Sequence, residues 1–131
     1  EVKKAMTEKR YKKLNNFFKK EWIFWYEVIN QEAKKIIITT SFTSYTAKEF
    51  IKRNPEFGLI IMKIIKPIDE RVLDSIKTKE EIIFVESNYS GQLENYMTKE
   101  LWLKYIDWLK INNLRKYDLF PFYIEDFNSL K

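Results

Sequence analysis

The sequence predicts an α/β domain, a three-layer sandwich in which helices cover both faces of a mainly parallel sheet of four to five strands. Three short apolar runs predict its strands, namely residues 35–41 (KIIITTS), 58–66 (GLIIMKIIK) and 80–86 (EEIIFVE). Their continuous apolar character is typical of strands buried on both faces. Segments of helical periodicity separate the runs, and each is too long for a hairpin, so the strands are expected to pair in parallel.

The first helix is predicted over residues 7–20, with Thr7 as its N-cap. Apolar residues recur at helical spacing within it, and lysines occupy the remaining positions. The apolar positions are Tyr11, Leu14 and Phe18.

Residues 21–31 (EWIFWYEVINQ) are densely aromatic and have no clear period. This segment can either finish the first helix or lie extended over the core. A basic, aromatic segment can dock on a membrane or on nucleic acid. Such clusters more often cover a core or an interface with a neighbouring subunit, and we favour that interpretation. We therefore divide the chain into an N-terminal helix with an aromatic linker, residues 1–31, and an α/β domain, residues 32–131.

Two short helices are predicted between the strands. The first begins at Thr43 or Ser44 and ends at Arg53, because an Asn-Pro pair follows. The second is expected after the second strand, with Asp69 as its cap.

The last third of the chain predicts one long helix and a short strand. Apolar residues return to one face at helical spacing from Leu93 through Lys110. The Asn-Asn pair at 112–113 is expected to end this helix, and residues 114–117 to form the last strand. A weak helix is expected to close the chain.

The composition excludes several kinds of catalytic site. The 131 residues contain no cysteine and no histidine. Thiolate or imidazole metal sites, iron–sulfur ligation, a cysteine nucleophile and a Ser-His-Asp triad are therefore impossible within this chain. Only two glycines are present, which excludes a Gly-rich phosphate loop. We expect no catalytic, metal-binding or cofactor-binding residue in this chain.

The charge has two interpretations. A net charge of +5 and a pI of about 9.2 are compatible with nucleic-acid binding. The basic residues are nevertheless spread along the chain, apart from a cluster at 3–20, so we favour a lysine-rich solvated surface and do not expect nucleic acid as a partner. No apolar run approaches the roughly 20 residues of a membrane span, so no membrane partner is expected. The lack of cysteine fits a cytoplasmic location, and the chain is expected to be a piece of a longer polypeptide.

Three loops follow the carboxyl ends of the predicted parallel strands, at residues 40–44, 66–69 and 87–92. Ligands of open α/β sheets bind at this edge. The third loop can contact an anionic ligand or a partner, or its polar side chains can simply cap the helix that follows. Its amide, phenol and hydroxyl groups, and one flexible backbone position, belong to Asn88, Tyr89, Ser90, Gly91 and Gln92.

Several blocks of this sequence resemble one known family. Residues 85–93 (VESNYSGQL) and 116–122 (KYDLFPF), preceded by 7–14 (TEKRYKKL) and 62–67 (MKIIKP), are similar in kind and order to the C-terminal part of the alpha subunit of 2-oxoacid:ferredoxin oxidoreductases. That family has Asn-x-Ser/Thr-Gly-Gln after a strand ending in Val-Glu, and later Lys-Tyr-Asp-Gly-x-Pro-Phe. The chain departs from the pattern at residue 119, where leucine replaces the glycine, and in its first loop, which lacks the family's Trp-Gly.

The resemblance implies a transketolase-C-terminal-like domain in an enzyme that oxidatively decarboxylates a 2-oxoacid with coenzyme A, giving acyl-CoA and CO2 and reducing ferredoxin. In such enzymes thiamine diphosphate, Mg and the iron–sulfur cluster lie mainly on the beta subunit. This domain would be a structural assembly piece, inactive alone, in contact with the beta subunit and the rest of the alpha subunit. It would meet ferredoxin only through the holoenzyme.

Two alternatives stay open beside this interpretation. One is a free-standing basic α/β module that binds nucleic acid or a phosphate-bearing ligand. The other is a small enzyme of flavodoxin-like architecture, against which the low glycine content argues.

Overall fold

The computed structural model describes residues 2–20, 25–118 and 120–131 of the chain. Five strands and four α-helices are found there, with two 3₁₀ helices at Leu103–Tyr105 and Ile124–Leu130. In chain order the helices and strands are α1 Val2–Lys20, β1 Tyr26–Ile29, β2 Lys35–Thr40, α2 Ser44–Arg53, β3 Phe57–Met62, α3 Val72–Ile76, β4 Glu81–Glu86, α4 Gln92–Glu100 and β5 Lys110–Arg115.

The five strands form one mixed sheet in the order β1-β3-β2-β4-β5. The strands β3, β2, β4 and β5 are mutually parallel, and β1 joins the β3 edge in the antiparallel direction. The prediction of an α/β fold with a mainly parallel, helix-flanked sheet is therefore confirmed. The three apolar runs all became strands, although β3 ends at Met62, four residues before the predicted end.

Two hydrophobic clusters lie on opposite faces of the sheet. Successive residues of β2 alternate between them, so that Ile36 and Ile38 pack with α3 and α4, whereas Ile37 packs with α2 and the C-terminal 3₁₀ helix. All three isoleucines are fully buried. The sheet is thus the middle layer of three, which explains why its central strands are apolar at every position.

The aromatic segment after the first helix is extended where the structure describes it. Trp25 is buried, and Tyr26 begins the antiparallel pairing of β1 with β3 opposite Met62. Asn30 follows the last residue of β1 and has a φ of 57°. Its side-chain amide donates to the carbonyl of Phe57. Residues 25–29 therefore cover the core. Residues 21–24 lie outside the described part of the structure.

The first helix is longer than predicted. It begins at Val2, and Thr7 lies inside it, where the hydroxyl donates to the carbonyl of Lys3 at 2.9 Å. The prediction of Thr7 as the N-cap is wrong, because residues 3–6 (KKAM) are good helix formers and nothing before Thr7 stops the helix. Tyr11, Leu14 and Phe18 have side chains outside the described part of the structure.

The prediction of one long helix from Leu93 through Lys110 is wrong. The helix α4 ends at Glu100, and Trp102 lies in the left-handed region at a φ of 55°. A left-handed residue just past the last turn is a common helix stop, but glycine normally occupies that position. The chain then turns back, and Lys110 begins β5 opposite Glu81. The helical spacing beyond Leu101 was therefore coincidental.

The last strand also differs from its prediction. The pair at 112–113 does not end a helix but lies in the middle of β5, and residues 116–117 follow the strand. The strand is only half-buried at the sheet edge, where polar side chains find partners, and Asn112 donates to the carboxylate of Glu81 at 3.2 Å.

The two short helices lie where they were predicted, but Asp69 is not the N-cap of the second. The helix α2 runs from Ser44 to Arg53. The helix α3 begins at Val72 with Arg71 at the N-cap position, and the carboxylate of Asp69 accepts from the N–H of Arg71 at 3.1 Å, one turn before the helix. Within the part of the chain that the structure describes, no helix combines the length and the apolar character needed to cross a bilayer.

The left-handed conformation at Trp102 gives a stability prediction. Glycine adopts this conformation without the cost of about 1 kcal/mol that a side chain adds. We therefore expect Trp102→Gly to be more stable than Trp102→Ala by about 1 kcal/mol in urea unfolding. At Lys99, inside α4, the order should reverse by about 1 kcal/mol because glycine is a poor helix former. Equal stability of the two Trp102 variants would contradict the left-handed geometry.

Candidate functional site

The candidate site lies at the carboxyl edge of the sheet, between β2 and β4. The helix α2 connects β2 to β3 on one face of the sheet. The helix α4 is part of the connection from β4 to β5 on the other face. The two crossovers diverge at this point, which makes it the switch point where α/β sheets bind their ligands. The loops 41–43 and 87–91 flank it.

The loop 87–91 is held by hydrogen bonds from one asparagine. The Oδ1 atom of Asn88 accepts from the N–H groups of Gly91 at 2.7 Å and Gln92 at 3.2 Å. Its Nδ2 atom donates to Oε1 of Glu86 at 3.2 Å. Asn88 is therefore the first part of a cap for α4.

The second part of the cap is a buried carboxylate at the end of β4. Glu86 is only 5% exposed, and its two oxygens accept from the N–H of Leu93 at 2.5 Å and of Glu94 at 3.1 Å. Negative charge at a helix N-terminus is favourable because the N–H groups there carry partial positive charge. With Asn88, this carboxylate satisfies the first N–H groups of α4, which are the groups that an external anion would need.

Gly91 and an arginine of β5 close the loop from the side. Gly91 has a φ of 63°, and a Cβ there would collide with the guanidinium of Arg115. That guanidinium donates to Glu94 at 2.6 Å and to the carbonyl of Tyr89 at 3.3 Å. The left-handed conformation is what favours glycine here, and the missing side chain leaves space for the guanidinium of Arg115.

Aromatic side chains project from the loops around this capped turn. Tyr89 is 73% exposed, and its ring meets that of Tyr117 edge-on at 5.1 Å between centroids. Exposed aromatics gathered in one region are typical of surfaces that bind another protein. The set, which we call the aromatic edge, follows the carboxyl ends of β2, β4 and β5 and consists of Phe42, Tyr45, Tyr89, Tyr117, Phe120 and Tyr123.

An ion pair fixes the C-terminal 3₁₀ helix beneath the aromatic edge. The ammonium of Lys116 lies 2.8 Å from Oδ2 of Asp126, which also accepts from the N–H of Tyr123 at 2.8 Å. The hydrogen bond from Lys116, followed by that from the backbone of Tyr123, lowers the pKa of Asp126 below its ordinary value. The hydrogen bond to Asp126 in turn raises the pKa of Lys116.

The other two predicted loops follow β2 and β3, the next strands of the sheet beyond β4. In the first, Ser44 donates its hydroxyl to the carbonyl of Ser41 at 2.7 Å and so stabilises the start of α2. The second loop and the third share a cleft of about 800 Å³, to which Lys66 and Ser90 contribute. Asp69 is not among the residues that line this cleft. It is buried and paired with Arg71, and its hydrogen bond raises the pKa of Arg71.

The structure brings the five predicted loop residues together as one turn, and it uses the side chain of Asn88 and the N–H groups of Gly91 and Gln92 in the cap of α4. Among residues 2–20, 25–118 and 120–131 no group of three or more acidic side chains could hold a metal ion. Sequence reasoning missed Glu86 and Arg115 as parts of the site. A glutamate at the end of an otherwise apolar run was the available signal for Glu86, whereas nothing in the sequence distinguishes Arg115.

Removing the buried carboxylate should destabilise the protein. In Glu86→Gln one oxygen becomes an amide donor, so the N–H of Leu93 or of Glu94 loses its acceptor. We expect a loss of about 2 kcal/mol in the free energy of unfolding, measured by urea titration. Glu80→Gln, an exposed change next to the same strand, is the control and should cost less than about 0.5 kcal/mol. Equal effects of the two changes would refute the capping role.

The ion pair beneath the aromatic edge should be visible in the pH dependence of stability. Because the pKa of Asp126 is lowered in the folded state, its contribution is full above its ordinary pKa of 3.8 and is lost as the pH falls through the folded-state value. We therefore expect Asp126→Asn to lower Tm at neutral pH, and this difference to shrink only below about pH 4. Asp107→Asn, at an exposed site, should leave Tm unchanged. A difference that is independent of pH would argue against the pair.

Comparisons with known proteins leave the site to be interpreted from its own geometry. No protein-family model matches the chain. No curated protein is significantly similar to it in sequence. The functional assignment therefore depends on the residues themselves.

Proposed function

We propose that this chain is the C-terminal assembly domain of the alpha subunit of a 2-oxoacid:ferredoxin oxidoreductase, with a transketolase-C-terminal-like fold and a cytoplasmic location. One observation carries the proposal. The first N–H groups of α4, behind the turn formed by residues 88–92, are bonded within the chain, while aromatic rings stand exposed around this turn.

The distribution of polar groups favours a protein interface over a small anionic ligand. Asn88 and Glu86 already occupy the N–H groups of α4 that would otherwise attract an anion. What the turn offers outward is the phenol ring of Tyr89, supported edge-on by Tyr117. Rigid aromatic side chains lose little conformational entropy on contact and are enriched at protein interfaces.

The two most distinctive blocks of the resemblance also meet at this edge. Residues 85–93 and 116–122 are far apart in sequence, yet their rings Tyr89 and Tyr117 are in contact. Arg115, directly before the second block, donates to the backbone of the first at Tyr89. Sequence blocks that share one surface are readily explained by one shared partner.

The proposal gives this chain an architectural role. Thiamine diphosphate, Mg and the iron–sulfur cluster would be held mainly by the beta subunit, which would perform the decarboxylation and the electron transfer. The aromatic edge would contact the beta subunit or the rest of the alpha subunit. Ferredoxin would be met only by the assembled enzyme.

The test is assembly of a defined enzyme. The chain, tagged within its full natural polypeptide, is purified anaerobically from its own cells. We expect thiamine diphosphate, iron and acid-labile sulfide to be recovered with it, together with reduction of ferredoxin that requires both a 2-oxoacid and coenzyme A. A preparation without that activity, or the same activity from this chain alone, would overturn the proposal.

Variants of the aromatic edge locate the interface. In Tyr89→Ala combined with Tyr117→Ala, we expect the recovered activity and the bound iron to fall by about tenfold, because aromatic anchors dominate interface energies. Trp108→Ala is the matched control, since this exposed ring lies just before the amino end of β5, at the opposite sheet edge. A larger loss from the control variant would place the interface elsewhere.

A further inference from the structure

A second surface feature lies along α4, apart from the aromatic edge. A cleft of about 800 Å³ lies between the loop after β3 and α4. Two lysines line it together with neutral polar and apolar side chains, and none of the described residues that line it is acidic. Lys66 has its ammonium 4.8 Å from the centre of the Tyr96 ring, within the range of a cation–π contact. Lys99 lies on the same wall. This cleft has the charge of a site for an anion.

A smaller cleft of about 440 Å³ continues beyond it. Asn95 and Lys99 line both clefts, so the two clefts adjoin along α4, and we call the pair the groove. At its far end, the rings of Trp102 and Tyr105 stand 5.5 Å apart at 45° and are largely exposed. Two such rings offer a face on which a planar heterocycle can stack.

Further polar groups line the aromatic end. Glu100 contributes a carboxylate, the kind of group that binds the hydroxyls of a ribose. Thr98 is nine-tenths buried, and its hydroxyl has no hydrogen-bond partner among the described residues. A buried polar group without a partner is unfavourable, and a water or a ligand atom in the cleft would supply one.

We infer that this groove binds a nucleotide carrying two or three phosphates. The base stacks on the face of Trp102 with the tilted ring of Tyr105 beside it, and Glu100 accepts from the ribose hydroxyls. The phosphates lie between Lys66 and Lys99, at the end of the groove without carboxylates. Each cleft, at about 440 and 800 Å³, is in the size range of sites for small ligands. The groove shares Ser90 and Gln92 with the turn that supports the proposed assembly surface, but the inference does not require that surface.

Titration of the purified chain tests the inference. ATP is the probe, and quenching of tryptophan fluorescence, checked by calorimetry, is the readout. Trp102→Ala and Lys66→Ala should each raise the Kd for ATP by about tenfold. The matched controls, Trp108→Ala and Lys52→Ala, change exposed residues outside the groove and should leave Kd unchanged.

Three further probes separate the possible outcomes. Adenosine and inorganic tripolyphosphate should each bind more weakly than ATP, because each lacks half of the recognised groups. Tripolyphosphate binding as tight as ATP, and insensitive to Trp102→Ala, would reduce the groove to a general polyanion site and overturn the inference. Binding of a single-stranded oligonucleotide with a steep salt dependence, but not of ATP, would replace the nucleotide by nucleic acid. None of these results depends on whether the oxidoreductase assembles.

Discussion

The buried carboxylate of Glu86 is the interaction on which the carboxyl edge depends. It comes from the end of a central strand rather than from the residue before the helix, and it caps α4 from within the protein. The start of the helix is thereby fixed relative to β4 itself. Because the cap is internal, the turn in between is free to present its side chains outward without leaving helix N–H groups unsatisfied.

The rest of the edge is built around this fixed point. Gly91 provides the left-handed turn that the internal cap requires, and its missing side chain leaves the space that Arg115 occupies. Arg115 links β5 to α4 through Glu94, and Glu86 links β4 to the same helix, so the ends of two neighbouring strands are both bonded to the start of α4. Because internal hydrogen bonds already hold this surface in place, it loses little conformational entropy when a partner binds. This is the physical argument for interpreting it as an interface.

How far the sequence predicts this fold depends on whether the signal is local. The central strands were predictable because burial on both faces leaves apolar residues at every position. The end of α4 was not predictable, because a tryptophan occupies the left-handed position where glycine usually ends a helix. The middle of β5 was not, because Asn112 is typical of a turn and becomes acceptable only beside Glu81. The loop 88–92 was predictable as a turn between a strand and a helix, whereas its partner Arg115 comes from a distant strand.

The groove and the aromatic edge meet in one short segment. Ser90 and Gln92 line the larger cleft, and both belong to the turn whose Tyr89 faces outward. An anion drawn to Lys66 would therefore lie against the same backbone that supports the proposed interface. Since coupling between two binding events is reciprocal, any change that a nucleotide made in this turn would alter partner affinity by the same factor that the partner alters nucleotide affinity. The hydrogen bonds of Glu86 hold the turn in one arrangement. Because coupling between two binding events needs a second arrangement that one ligand favours, this restraint limits the coupling between nucleotide and partner.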